Sequence, residues 1–301
     1  MEKNGVWVRL KGLNYNMNIL ITGGAGFVGY NLITALKKKG HNIFTFDDYS
    51  IATNKVEGVE YQRYDVYQDY NSWKWEYEDI DIIFHMAAIS RVQPSFNDPW
   101  VTTKTNIMGT QSVLEYAKQK GCKVIYPASS SKQGGELLSP YAYSKVQGEN
   151  LCRLYFDHFG VESTIARFFN VYGPKQPQTG DFATVLGIWE KQYKQGKPLT
   201  IVGDGEQRRD FTHVEDIVDG LILMGELETM NCSEFELGTG KNYSINELAQ
   251  FFGGPTEYIA QRKGEYPATL CKTKESQEIL NWEPKWNIKT YIDNFKSDGS
   301  E

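Results

Sequence analysis

The sequence predicts an α/β fold: a doubly wound parallel sheet followed by a smaller, irregular α/β region. Three observations carry this expectation. Short apolar runs alternate with longer helical patterns from Asn18 to about Phe169, as βαβ units do when both faces of a sheet are covered. A glycine-rich turn joins the first strand to the first helix, and an acid, Asp47, closes the second strand.

The strands are expected at 18–22, 42–47, 59–64, 81–85, 123–127 and 163–168. In the first crossover helix Val28, Leu32, Ala35 and Leu36 form one stripe, and Lys37, Lys38 and Lys39 sit at the negative C-terminal end before Gly40. A second helix opens at Asp98-Pro99 and ends before Gly121; a third runs from Ser139-Pro140 to about Phe159. Beyond Asn170 the prolines at 174, 177, 198, 255, 267 and 284 interrupt shorter elements. The expected organisation is an N-terminal extension over 1–16, a dinucleotide-binding domain over 17–169, and a mainly substrate-binding region over 170–301 with some segments returning to the sheet.

Composition narrows the function. The 301 residues are 40% hydrophobic and contain no apolar run long enough to span a bilayer, so no membrane partner is expected. A net charge of −6 opposes a polyanionic partner, so nucleic acid is not expected either. The four cysteines form no metal-ligating spacing and read as reduced thiols of an intracellular, cytoplasmic protein; no metal is expected. Residues 1–16 lack the apolar stretch of a secretory signal.

The segment 19–29, ILITGGAGFVG, is a strand, a glycine turn and a helix start. Its glycines fit GxGxxG through Gly24, Gly26 and Gly29, and equally GxxGxxG through Gly23, Gly26 and Gly29. Such a turn lets a pyrophosphate approach the helix N-terminus, where free N–H groups and the helix dipole favour negative charge. Asp47 is placed to accept from a ribose 2′-hydroxyl and would repel a 2′-phosphate; Asp48 follows instead of an arginine. NAD is therefore expected in preference to NADP. Asp65 either faces the adenine end or is an ordinary turn aspartate.

Tyr141 and Lys145 lie four residues apart, on one face of the third helix. A phenol with a pKa of about 10 becomes a usable base when a nearby cation favours phenolate. The serines at 129–131 end the strand upstream, where a hydroxyl could pass a proton between substrate and phenol.

At this point the chain resembles the extended short-chain dehydrogenases/reductases, most closely the NAD-dependent nucleotide-sugar epimerases of the UDP-glucose 4-epimerase type. The matching pieces include TGGAGFVG, FDDYS, HMAA, NIMGT, SPYAYSK, RFFNVYGP, GDGEQRRDFTHVED, RKGE and ILNWEP, in order over about 17–290. The resemblance implies a Rossmann-type sheet and a base at Tyr141, with Lys145 holding the nicotinamide ribose and lowering the phenol's pKa. It assigns the sugar C4 hydroxyl to Ser130, with Ser129 and Ser131 as alternatives. It carries cofactor contacts to Gly23, Gly26, Phe27, Val28, Gly29, Asp47, Asp48, Asp65, Val66, Met86, Ala87, Ala88, Asn106, Tyr141, Lys145 and Phe168. Asn170, Arg209 and Arg262 would hold the substrate diphosphate, and Thr269 would set the size of the sugar pocket.

Two departures stand out. Lys132-Gln133-Gly134-Gly135 replaces the family's valine-tyrosine-glycine turn within an unusually short loop, and Lys272 stands where an aspartate is common. Ser131-Lys132 occupies the place where dehydratases of the family carry Asp-Glu, which favours epimerisation over elimination. The implied reaction is inversion at C4 of a nucleotide-diphosphate sugar through a transient 4-keto intermediate, in a homodimer paired through the second and third helices. The competing readings are a dehydratase or decarboxylase, an NAD(P)-dependent reductase and a non-catalytic NAD-binding protein.

Overall fold

Alternate side chains of the first strand, Asn18–Thr22, enter two different cores, and this decides the architecture. Ile19 and Ile21 pack with Leu32, Ile33 and Leu36 of helix Phe27–Lys38 and with helix Val214–Gly225, whereas Leu20 packs with Val113, Leu114, Cys152 and Tyr155 on the opposite side. The two-residue repeat of a strand thus feeds both faces of the sheet. The computed structural model describes residues 2–3, 6–7, 16–73 and 79–298. Of the extension expected over 1–16, residues 1, 4–5 and 8–15 lie outside the described residues; Glu2–Lys3 pairs antiparallel with Val6–Trp7.

The large sheet is Rossmann-type and wholly parallel. Its seven strands lie in the order Asn231–Leu237, Ser163–Phe168, Lys123–Ser129, Ile82–His85, Asn18–Thr22, Asn42–Asp47 and Glu60–Arg63. The edge strand Asn231–Leu237 comes from the second half of the chain and pairs with Ser163–Phe168. The second helical pattern is divided: Pro99–Thr103 and Gly109–Lys120 flank a π-helical turn at Lys104–Met108. Its ends match the local signals, with Asp98 accepting from Val101 N at 2.9 Å and Gly121 left-handed at φ 72. Ser139 caps helix Pro140–Phe159 through Ala142 N, and Gly160 closes it.

A third core, around Tyr172, Trp189, Leu199, Phe211, Leu248 and Phe252, supports the smaller region. That region carries a parallel pair, Leu199–Val202 with Thr256–Ile259, and a three-stranded sheet in the order Asn242–Ser244, Arg208–His213, Asn170–Tyr172. The strand Arg208–His213 stands opposite the C-terminal ends of the parallel strands, so a cleft forms where α/β sheets characteristically take their ligands.

Candidate active site

A cavity of about 700 Å³ runs along that cleft, from the glycine turn at one end to Arg209 and Arg262 at the other. Gly23 holds φ +70, and a Cβ there would lie 2.6 Å from Ala87 N. At Gly29 a Cβ would lie 2.3 Å from Gly23 O, so turn and helix meet only without side chains. Gly26 begins helix Phe27–Lys38 with no side-chain cap and no acid in the first turn. The first amides are therefore available to an anion. Asp47 latches this turn to the second strand, accepting from Ala25 N at 3.0 Å and from Tyr49 N at 2.8 Å. Burial pushes its carboxyl up while these two N–H groups pull it down. Asp48 turns to Ser50, accepting from its N and Oγ.

Phe27, Val28, Asp47, Asp48, Val66, Met86, Ala87, Ala88 and Phe168, which the resemblance assigns to the cofactor, line the cavity. These residues fit a dinucleotide: the uncapped helix start suits the pyrophosphate, the acid after the second strand suits a ribose, and the small side chains at 87–88 give room. Two expected cofactor contacts lie off the cavity lining. Asp65 instead holds Gln68, through its carbonyl at 3.0 Å and its carboxylate at 3.4 Å. Asn106 is 2% exposed and clamps Ile89 by accepting from its N (2.8 Å) and donating to its O (3.0 Å), while also donating to Ser144 Oγ. It shapes the 86–91 segment from behind. His85, at the end of the strand Ile82–His85, bridges Thr22 and Thr110 at 2.8 and 3.1 Å; burial pushes its pKa down to about 3, leaving it neutral.

Tyr141 and Lys145 both reach the cavity from helix Pro140–Phe159. Burial holds the Tyr141 phenol above the ordinary tyrosine value, opposed by a hydrogen bond with Ser129 and by the charge of Arg91. The sequence assigns that electrostatic role to Lys145; the charge of Arg91, which lines the same cavity, also favours phenolate. Lys145 is engaged elsewhere. Its ammonium lies 4.4 Å from the Tyr126 ring centroid, and burial pushes its pKa down to about 8 against the pull of Glu149 one turn on.

The three serines divide. Ser129 caps the following 3-10 turn through Ser131 N and bonds the Tyr141 phenol. Ser130 bonds the phenol of Tyr266, and Ser131 Oγ is buried with no partner among the described residues. Lys132 leaves the cavity to pair with Glu149 at 2.8 Å; that fully buried carboxylate also takes Arg167 at 3.0 Å. Gln133 fastens the short loop to Leu270 by donating to its O at 2.9 Å and accepting from its N at 3.0 Å.

At the far end Asn170, Arg209 and the exposed Arg262 line the cavity. Arg209 is 7% exposed, pairs with Glu265 at 3.1 Å, donates to Tyr266 O at 2.9 Å and stacks 4.3 Å from that ring. Thr269, expected to set pocket size, lies off the lining at 1% exposure. Pairing of Ala268 with Arg208 draws it among the strands, where its N donates to Arg208 O and its Oγ1 accepts from Asp210 N. Sequence reasoning missed Arg91 and Tyr266, which line the cavity but belong to no local pattern. Among the described residues no cluster could hold a metal, and no helix is long and apolar enough to cross a membrane.

The sequence pattern of the NAD dependent epimerase/dehydratase family matches residues 19–233. A UDP-glucuronate 4-epimerase of Thermodesulfobacterium geofontis is 30% identical over 305 residues, 90% of this chain and 92% of that one. Among solved structures, a UDP-glucose 4-epimerase of Thermotoga maritima with UDP-glucose superposes with TM-score 0.84 at 27% identity, covering 94% of this chain and 99% of that one. A UDP-glucuronic acid 4-epimerase of Bacillus cereus, in complex with UDP-glucuronic acid and NAD, gives 0.82 at 28% identity, covering 93% and 99%.

Proposed function

The chain belongs to the NAD dependent epimerase/dehydratase family, and from that premise we propose that it inverts C4 of a UDP-activated sugar through a transient 4-keto intermediate. The observation that carries this reading is the meeting, on one cavity wall, of a phenol, an ammonium and a serine hydroxyl between an uncapped helix N-terminus and two arginines. NAD, when bound, supplies reversible removal of hydride from C4.

The chain's own residues do the rest. Tyr141 accepts the C4 hydroxyl proton and later returns it. The reading leaves the hydroxyl that relays this proton between two candidates: Ser130, as the resemblance implies, and Ser129, which bonds Tyr141 here. Lys145 presents an ammonium to the nicotinamide ribose. Arg209 and Arg262 hold the diphosphate as parallel donors while Asn170 supplies an amide, so the nucleotide stays anchored as the sugar turns. Among the serine-turn residues no carboxylate enters the cavity, which disfavours elimination: Ser131 is a hydroxyl, and Lys132 is drawn out by Glu149.

We also propose a cytoplasmic homodimer. Trp100, Val101, Met108, Tyr143, Leu154 and Phe159 are exposed along the paired helices, with Trp100 at 72%. Exposed apolar side chains on these helices support their pairing with a second copy.

Purified protein incubated with UDP-, dTDP-, CDP- and GDP-sugars and followed by proton NMR tests the activity. The expected result is C4 inversion without net NADH; elimination, decarboxylation or no reaction with any sugar overturns it. Sedimentation equilibrium tests the dimer, and a monomer at micromolar concentration overturns that part.

A further inference from the structure

We propose that Arg91 receives a carboxylate carried by the substrate's sugar, which makes a nucleotide-activated uronate the preferred substrate class; the inference rests on the reading above. Three observations converge on this residue. Its backbone stands at φ 148, ψ 149, a region that is essentially glycine's own and strains any side chain. A non-glycine residue kept there points to a side chain that is used.

The guanidinium lines the cavity, and its one hydrogen bond to a described residue runs from Nε to Phe182 O at 3.3 Å. Among the described residues no carboxylate pairs with it, in contrast to Arg209, which is matched by Glu265. A partly buried cation with no anion beside it favours a ligand that brings one.

The third observation is placement. Arg91 lines the cavity together with Tyr141 and Lys145, which places it at the reacting end, whereas the proposed reading gives the diphosphate to Arg209 and Arg262. The ring atom next to C4 is C5. A hydroxymethyl group there offers a guanidinium fork one oxygen, whereas a carboxylate offers two in its plane and a full negative charge.

The test compares binding of UDP-glucuronate and UDP-glucose by calorimetry in the NAD-loaded Tyr141→Phe protein, with and without Arg91→Gly. Glycine suits the backbone at 91, so the melting temperature should hold or rise; if it falls, Arg91→Gln provides the same readout. The expected result is a preference for UDP-glucuronate that drops about 10- to 100-fold when the guanidinium is removed, the worth of one or two charge-assisted hydrogen bonds. No preference in the parent protein, or equal weakening towards both sugars, overturns the inference. UDP-glucose inversion by the wild-type protein without a uronate preference sinks this inference alone; an Arg91-dependent preference without inversion of either sugar sinks the proposed activity alone.

Discussion

The two ends of the cavity are built on different principles. At the glycine-turn end, shape comes from backbone: positive φ at Gly23, a close approach at Gly29, an uncapped helix start, and Asp47 tied to an amide 22 residues away. At the sugar end, shape comes from side chains meeting across the fold, as Arg209 does with Glu265 and Gln133 with Leu270, 137 residues on. A generic dinucleotide cradle needs a fixed backbone path, whereas a sugar pocket is varied by changing side chains on loops that a rigid scaffold holds in place.

The largest expected effect separates chemistry from binding. Tyr141→Phe should lower kcat by about 10²- to 10⁴-fold, the usual worth of a positioned acid–base, while NAD released on denaturation stays stoichiometric. Loss of NAD together with activity would mean that the phenol belongs to the cofactor end.

Next, Glu149→Gln should destabilise the protein by about 1–3 kcal/mol in urea, because Lys145 and Arg167 lose a buried counter-charge while Arg167 keeps Glu234 at 2.6 Å. Gly23→Ala should cost about 1–3 kcal/mol through its positive φ and the Ala87 contact, and should weaken NAD binding more than sugar-nucleotide binding. Equal weakening of both would erase the contrast between the two ends.

A pH series sharpens the comparison further. Lys145 has a folded-state pKa of about 8, below the ordinary lysine value. Between these values the unfolded chain binds the extra proton, so this residue's unfavourable contribution is full below about pH 8 and fades as pH rises. Lys145→Met should therefore stabilise the protein at pH 7, with the gain shrinking above pH 8 in thermal melts. On activity the sign reverses: kcat/KM should fall as the ammonium is lost through about pH 8, and the fall should move upward in Lys145→Arg. The smallest effect is that of Lys132→Met, at most about 1 kcal/mol for a pair whose lysine is 40% exposed.

Much of the scaffold was legible because its signals are short. The six strands expected from apolar runs all occur, and Asp98, Ser139, Gly121 and Gly160 end helices where the pattern places them. The π turn at Lys104–Met108 was not legible, since its side chains continue an ordinary helical stripe. Asn106 read as a cofactor contact because its motif does not reveal that its amide is consumed by Ile89. Thr269 was displaced by a strand-like pairing that its own neighbours do not announce.

By itself the sequence determined the βαβ scaffold, the glycine turn with its acid, and the tyrosine and lysine on one helical face. Each depends on dihedral preference, hydrogen bonding or spacing within a few residues. The tertiary structure alone decided that Arg91 and Tyr266 reach the cavity, that Gln133 fastens the short loop to Leu270, and that Arg209 is matched by Glu265. Those facts depend on charge and burial shared between segments that meet only when the chain is folded, and the strength of such interactions is set by the surroundings rather than by the residue.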